Sequence, residues 1–155
     1  MLGITRPTVE KYLDLLEKSF VIFRLPSYSS NLRNEIRKSQ KIYFYDNGIL
    51  IAITGNYSMI QNRTDAGFLW ENFCMTERMK INSLKSAGLT NMYFWRTYDG
   101  AEIDLVEETG GMLKAFEFKW NIRRKPTIPA SFSEKHKVTS MYVVSPETLY
   151  LLKEN

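Results

Sequence analysis

From residue 101 to residue 120 hydrophobic and polar positions alternate with a period of two, and the alternation breaks at Gly110-Gly111. Successive side chains in a strand point to opposite faces, so two strands are expected, AEIDLVE (101–107) and MLKAFEFKW (112–120). Paired glycines suit a two-residue hairpin turn, which needs positive φ at both positions. Counting back from that turn sets Thr109 opposite Met112, Glu107 opposite Lys114, Asp104 opposite Glu117 and Glu102 opposite Lys119. Phe116, Phe118 and Trp120 then share a core face with Ile103 and Leu105. Glu102, Asp104, Glu117 and Lys119 share the other face.

Helical spacing dominates elsewhere. TRPTVEKYLDLLEKSF predicts a helix with Thr5 as its cap, Pro7 tolerated in the first turn, and an apolar stripe of Val9, Tyr12, Leu13, Leu16 and Phe20. VIFRLP and KIYFYD read as strands on either side of the polar, basic SYSSNLRNEIRKSQ. Asp46-Asn47-Gly48 reads as a turn, and 49–65 as a connecting segment. A helix over roughly 66–86 is apolar nearly all round (Phe68, Leu69, Trp70, Phe73, Cys74, Met75, Met79), which predicts burial, yet Glu71 lies in its middle. MYFWR (92–96) is a further strand, TIPASFSEKHK a helix, and VTSMYVVS (138–145) a fully buried strand.

The predicted order in 66–155 is α–β–β–β–α–β, an α/β or α+β sandwich. Before it, residues 1–48 read as the recognition helix and basic hairpin of a partial winged helix. The first half of such a unit has no room ahead of Gly3, so the chain is expected to be a piece of something longer.

Composition narrows the classes. With 155 residues, 44% of them hydrophobic, the chain can fill a core, which excludes wholesale disorder. The single cysteine, Cys74, excludes an intrachain disulfide, and no Cys/His cluster has zinc spacing; Cys74 reads as a small buried hydrophobe. The N-terminus lacks a signal-peptide pattern, and the longest apolar run, 49–53, is too short to span a bilayer. A cytoplasmic location is the expectation.

The net charge of +4 is unevenly placed. Arg24, Arg33, Arg37, Lys38 and Lys41 face only Glu35 in the first hairpin, and Lys119, Arg123, Arg124, Lys125, Lys135 and Lys137 face only Glu134 later. Such patches suit a polyanion such as DNA, with Arg33, Arg37, Lys38, Arg123, Arg124 and Lys125 as candidate phosphate contacts. In the first helix Glu10, Asp14 and Glu17 balance Arg6, Lys11 and Lys18, which favours contact through the hairpin over groove reading. His136 reads as a solvated side chain in a basic run, and Phe94-Trp95 as core.

Asp104 opposite Glu117 is the anomaly. Opposed like charges destabilise a sheet unless a proton or cation joins them. Mg²⁺, for which Mn²⁺ could substitute, is held by one or two carboxylates and water. Lys119 could then meet a phosphate oxygen or the attacking water, and Glu71, costly to bury unpaired, could add a third carboxylate. The same spacing also allows plain exposed ion pairs, Glu102–Lys119 and Glu107–Lys114, worth about 0–1 kcal/mol each. A three-residue turn would separate Asp104 from Glu117 altogether.

Glu71 in GFLWENF, Asp104 in GAEIDLV and Glu117-Phe118-Lys119 in FEFK resemble the PD-(D/E)xK nuclease superfamily. Together with TRPTVEKYLDLLEKSFVIFRLPSYSSN, KSQKIYFYDNGIL and YFWRTYDGAEIDLV, they make nearly the whole chain look like the C-terminal region of bacterial and archaeal AAA+ ATPases. In that group an ATPase module precedes a winged helix and a restriction-endonuclease-like domain. The resemblance implies a restriction-endonuclease-like α/β core, metal-site roles for Glu71, Asp104 and Glu117, and Lys119 as the catalytic lysine. No GxxxxGK[ST] is present, so ATP binding would belong to a separate ATPase module or partner. Two functions follow: a Mg²⁺-dependent phosphodiesterase acting on DNA, or a non-catalytic docking module that directs an attached ATPase to nucleic acid or protein.

Overall fold

The computed structural model describes residues 3–29, 39–85, 89–122 and 127–154. Helix α1 (Arg6–Lys18) leads into strands β1 (Ile22–Pro26) and β2 (Gln40–Phe44), an antiparallel pair. Helices α2 (Asn47–Thr54) and α3 (Ala66–Lys85) follow, then β3 (Asn91–Arg96), β4 (Glu102–Thr109), β5 (Met112–Phe118), the one-turn α4 (Ala130–Ser133) and β6 (Val138–Val144). The second sheet runs β3-β4-β5-β6, antiparallel except for the parallel β5–β6 pair. The fold is mixed α/β with two sheets. No helix among the described residues is long and apolar enough to cross a membrane.

Gly110 and Gly111 form the expected turn, with φ of +58° and +79°. The β4–β5 register is the one counted from it, Thr109 opposite Met112 and Glu107 opposite Lys114. The facial assignment needs one correction. Tyr93 pairs with Val106 but Trp95 with Ile103, so Asp104 and Leu105 both oppose the single Phe94. This β-bulge reverses the alternation. Leu105, Phe116 and Phe118 pack under α3 with Trp70, Cys74 and Met75, and Trp120 closes against Trp70. Ile103 lies on the other face, with Val106, Leu113, Ala115 and Phe132.

Helix α3 is not apolar all round. Phe68 and Phe73 are exposed, and its buried side carries Asn72, Thr76, Arg78 and Asn82. Each of these polar groups has a partner, as burial demands. Asn72 accepts from the Phe44 backbone N–H (2.8 Å) and donates to the Phe44 carbonyl (2.9 Å), which fastens the edge of β2 to the helix. Arg78 forks onto Glu107 with two bonds of 2.7 Å, and it also donates to the carbonyls of Leu152 and Glu154. The expected surface pairing of Glu107 with Lys114 is therefore replaced by a buried one.

The N-terminal segment shares this core. Phe23, Leu25 and Tyr43 join the cluster under α3, and the Tyr28 N–H donates to the Phe94 carbonyl at the edge of β3. Helix α1 does not bury the expected stripe: Val9, Tyr12, Leu16 and Phe20 are exposed. Its acidic residues face β1 at the surface instead, because Arg24 draws Glu10, Asp14 and Glu17 together. Thr5 makes no side-chain cap and bonds Thr8 instead.

Three further expectations change. Asp46 caps α2 through the Gly48 N–H rather than ending a turn. TIPASFSEKHK yields a single helical turn. Strand β6 is an edge strand with only Val144 fully buried, and a 3-10 stretch at Pro146–Lys153 follows it. His136 is half-buried against Tyr28 and Phe132; burial and Lys135 lower its pKa.

Candidate functional site

The site opens where β4 and β5 part. Their ladder ends at Leu105–Phe116, and beyond it the Phe118 N–H donates to the Asp104 carboxylate at 2.8 Å. The bulge turns the Asp104 side chain into this gap, where the residue is only 6% exposed. Glu117 of β5 and Lys119, one residue past its end, flank it. Lys119 Nζ lies 2.6 Å from Glu117 Oε1 and 3.8 Å from Asp104 Oδ2, so one ammonium serves two carboxylates.

That service is incomplete. Burial, then the charges of Glu117 and Glu71, push the Asp104 carboxyl up to about 7, against the downward pull of Lys119 and the Phe118 N–H. Burial opposes the Lys119 charge, but its bond to Glu117 and the charge of Asp104 outweigh that and raise its pKa. Glu71 projects from α3 beside these groups. Its Oε1 accepts from Tyr43 Oη at 2.7 Å and from Lys41 Nζ at 3.0 Å. Lys41 also meets Glu102 Oε1 at 2.5 Å and lies 5.5 Å from the centre of the Phe94 ring. Burial works against the Lys41 ammonium, yet Glu71 and Glu102 hold its pKa up. Tyr43 is kept protonated by burial and by Glu71.

Two family comparisons bear on this arrangement. Residues 66–154, which carry Glu71, Asp104, Glu117 and Lys119, match Domain of unknown function (DUF4143). The chain belongs to the DUF4143 family. Residues 1–59 match a second family, Domain of unknown function (DUF8612). Uncharacterized proteins of Mycobacterium tuberculosis and Mycobacterium bovis are each 29% identical over 120 residues, which is 76% of this chain. The chain spans about a quarter of those relatives, 26% of their length. No solved structure matches.

Within the DUF4143 segment the fold gathers Asp104 and Glu117 around the Lys119 ammonium, close enough to Glu71 for its charge to be felt at Asp104. Glu102 does not face Lys119 as counted; it reaches Lys41 and, at 3.7 Å, Arg96. Among the described residues no three carboxylates, histidines or cysteines converge closely enough to hold an ion by themselves. The donor set that does converge, Asp104 and Glu117, is the oxygen pair that suits Mg²⁺ with water completing the shell. Arg33, Arg37, Lys38, Arg123, Arg124 and Lys125 lie outside the described residues.

Sequence reasoning missed Lys41 and Tyr43 as site residues. Alternation in KIYFYD puts both on one face of β2, which was the available signal. Their partner is 28 to 30 residues away on a helix, and nothing local reports that contact.

Proposed function

We propose that this DUF4143 chain carries a metal-dependent phosphodiesterase site that acts on DNA in the cytoplasm. On this reading it is the nuclease-like C-terminal part of an AAA+ ATPase, with a winged-helix segment ahead of a restriction-endonuclease-like core. The observation that carries the proposal is the Asp104–Glu117 pair, Asp104 buried and Glu117 partly so, sharing one lysine. Such a pair holds more negative charge than its neighbours compensate, and a divalent cation would correct that.

Asp104 and Glu117 would hold Mg²⁺ or Mn²⁺, with Glu71 as the outer carboxylate. The ion would supply Lewis-acid polarisation of a phosphate and neutralise charge developing on it. The protein does the rest. The Phe118 N–H fixes the Asp104 carboxylate, so that its orientation does not depend on a ligand. Lys119 stays protonated, and its side chain is 39% exposed, within reach of a phosphate arriving from solvent. Its ammonium can donate to a phosphate oxygen as charge builds there. Incubating supercoiled plasmid with Mg²⁺ or Mn²⁺ tests the proposal: nicking is expected from the natural sequence and not from Lys119→Ala. No nicking, or equal nicking by the variant, overturns it.

One observation favours a second reading, a docking module that guides an attached ATPase. Val9, Tyr12, Leu15, Leu16 and Phe20 stand exposed along and just beyond α1. Binding of DNA through the basic segments would weaken steeply with added salt. A protein partner seated on α1 would give a flat response.

A further inference from the structure

We infer that Tyr43 and Lys41 position the Glu71 carboxylate toward the cation, so that the site is assembled jointly by the β1–β2 hairpin and the DUF4143 segment. This rests on the reading of Asp104 and Glu117 as cation-holding residues.

The geometry is specific. Both hydrogen bonds described for Glu71, from Tyr43 Oη and Lys41 Nζ, end on Oε1. A carboxylate held by one oxygen keeps the other for a ligand, and groups that orient metal-binding carboxylates act in this way. The donors are themselves fixed. The Tyr43 ring is 1% exposed and stacked on Phe23 at 5.5 Å, so its hydroxyl cannot wander. Lys41 is held between Glu71, Glu102 and the Phe94 ring.

The hairpin carrying both donors is seated by the residue next to Glu71. Asn72 grips the backbone N–H and carbonyl of Phe44, and Thr76, one turn on, donates to the same carbonyl at 3.1 Å. Placement of β2 on α3 and orientation of Glu71 are thus one construction. Asp104 lies close enough to feel the Glu71 charge, and Lys41, which holds Glu71, also pairs with Glu102 on β4, two residues from Asp104.

Titration calorimetry of the full chain with Mn²⁺ at pH 8 tests this. Removing a group that orients a metal-binding side chain weakens affinity by roughly 10- to 100-fold. About tenfold weaker Mn²⁺ binding is therefore expected for Tyr43→Phe, which keeps the stacked ring and loses only the hydroxyl. Glu71→Asp keeps the charge but withdraws the carboxylate from both donors, and should weaken binding at least as much. Adding Tyr43→Phe to Glu71→Gln should weaken it no further, because the hydroxyl then has no ligand to orient; a purely structural hydroxyl would act equally in both backgrounds. Binding by Tyr43→Phe and Glu71→Asp equal to the natural sequence, with Asp104→Asn unable to bind, overturns the inference and leaves the cation site standing. Absence of Mn²⁺ binding by the natural sequence overturns both.

Discussion

Replacing Asp104 by Asn should stabilise the protein at alkaline pH and hardly at all in acid. In the fold the Asp104 carboxyl is pushed from an ordinary 3.8 up to about 7, chiefly by burial. The folded chain therefore keeps a proton that the unfolded chain has released, and stability falls as pH rises through this window, from about 4 to about 7. At about 1.36 kcal/mol per pKa unit, the full fall is on the order of 4 kcal/mol. That is a large share of the roughly 5–15 kcal/mol available to a domain. Asn carries no charge at any pH, and its side-chain carbonyl can accept the same Phe118 N–H. Urea unfolding of both proteins in chelator, at steps from pH 4.5 to 8.5, measures the difference. The advantage of Asp104→Asn should grow across the series and level off above pH 7. With Mn²⁺ at pH 8 the natural sequence should regain stability while the variant does not. Parallel stability curves for the two proteins would refute the argument, because they would mean that Asp104 titrates alike in the folded and unfolded chains.

Three other outcomes are expected. Arg78→Met strands a buried Glu107 carboxylate and should lower stability by about 3–5 kcal/mol in urea unfolding; a loss below about 1 kcal/mol would contradict that burial. Lys119→Met removes a charge that lowers the Asp104 pKa, so its carboxyl midpoint, followed by carbon-13 NMR, should move above 7. An unmoved midpoint would mean that the ammonium is not felt there. Gly111→Ala places a side chain at φ +79° and should lower the thermal midpoint, by roughly 1 kcal/mol equivalent, although open space surrounds the new methyl group.

How much was legible in the sequence depended on how local the cause was. The Gly110-Gly111 turn and its register are set by neighbouring residues, so period-two counting found them; the Asp104–Glu117 pair it also counted lies past the last rung, Leu105–Phe116, and the two carboxylates are linked through Lys119 instead. The bulge was invisible because it arises from pairing with β3, where Asp104 and Leu105 crowd opposite Phe94. Glu107 looked like a surface partner for Lys114, but its real partner, Arg78, comes from a helix 29 residues earlier. VTSMYVVS was misread because an apolar run looks the same in a central strand and in an edge strand lying on a helix-covered sheet. In α3, counting apolar residues hid the polar ones whose partners are backbone groups of β2 and the C-terminal stretch.

The bulge has a consequence for changes in chain length. Strand β4 is two reading frames spliced at Asp104–Leu105: residues before the splice follow one in–out rhythm, and those after it follow the other. Deleting Asp104 would restore a single rhythm: Leu105 alone would oppose Phe94, Ile103 would keep its place opposite Trp95 on the far face, and the carboxylate would be gone from the gap. A substitution there changes one side chain, but a deletion removes the bulge that aims it, while Glu102 and Ile103 keep their register with β3.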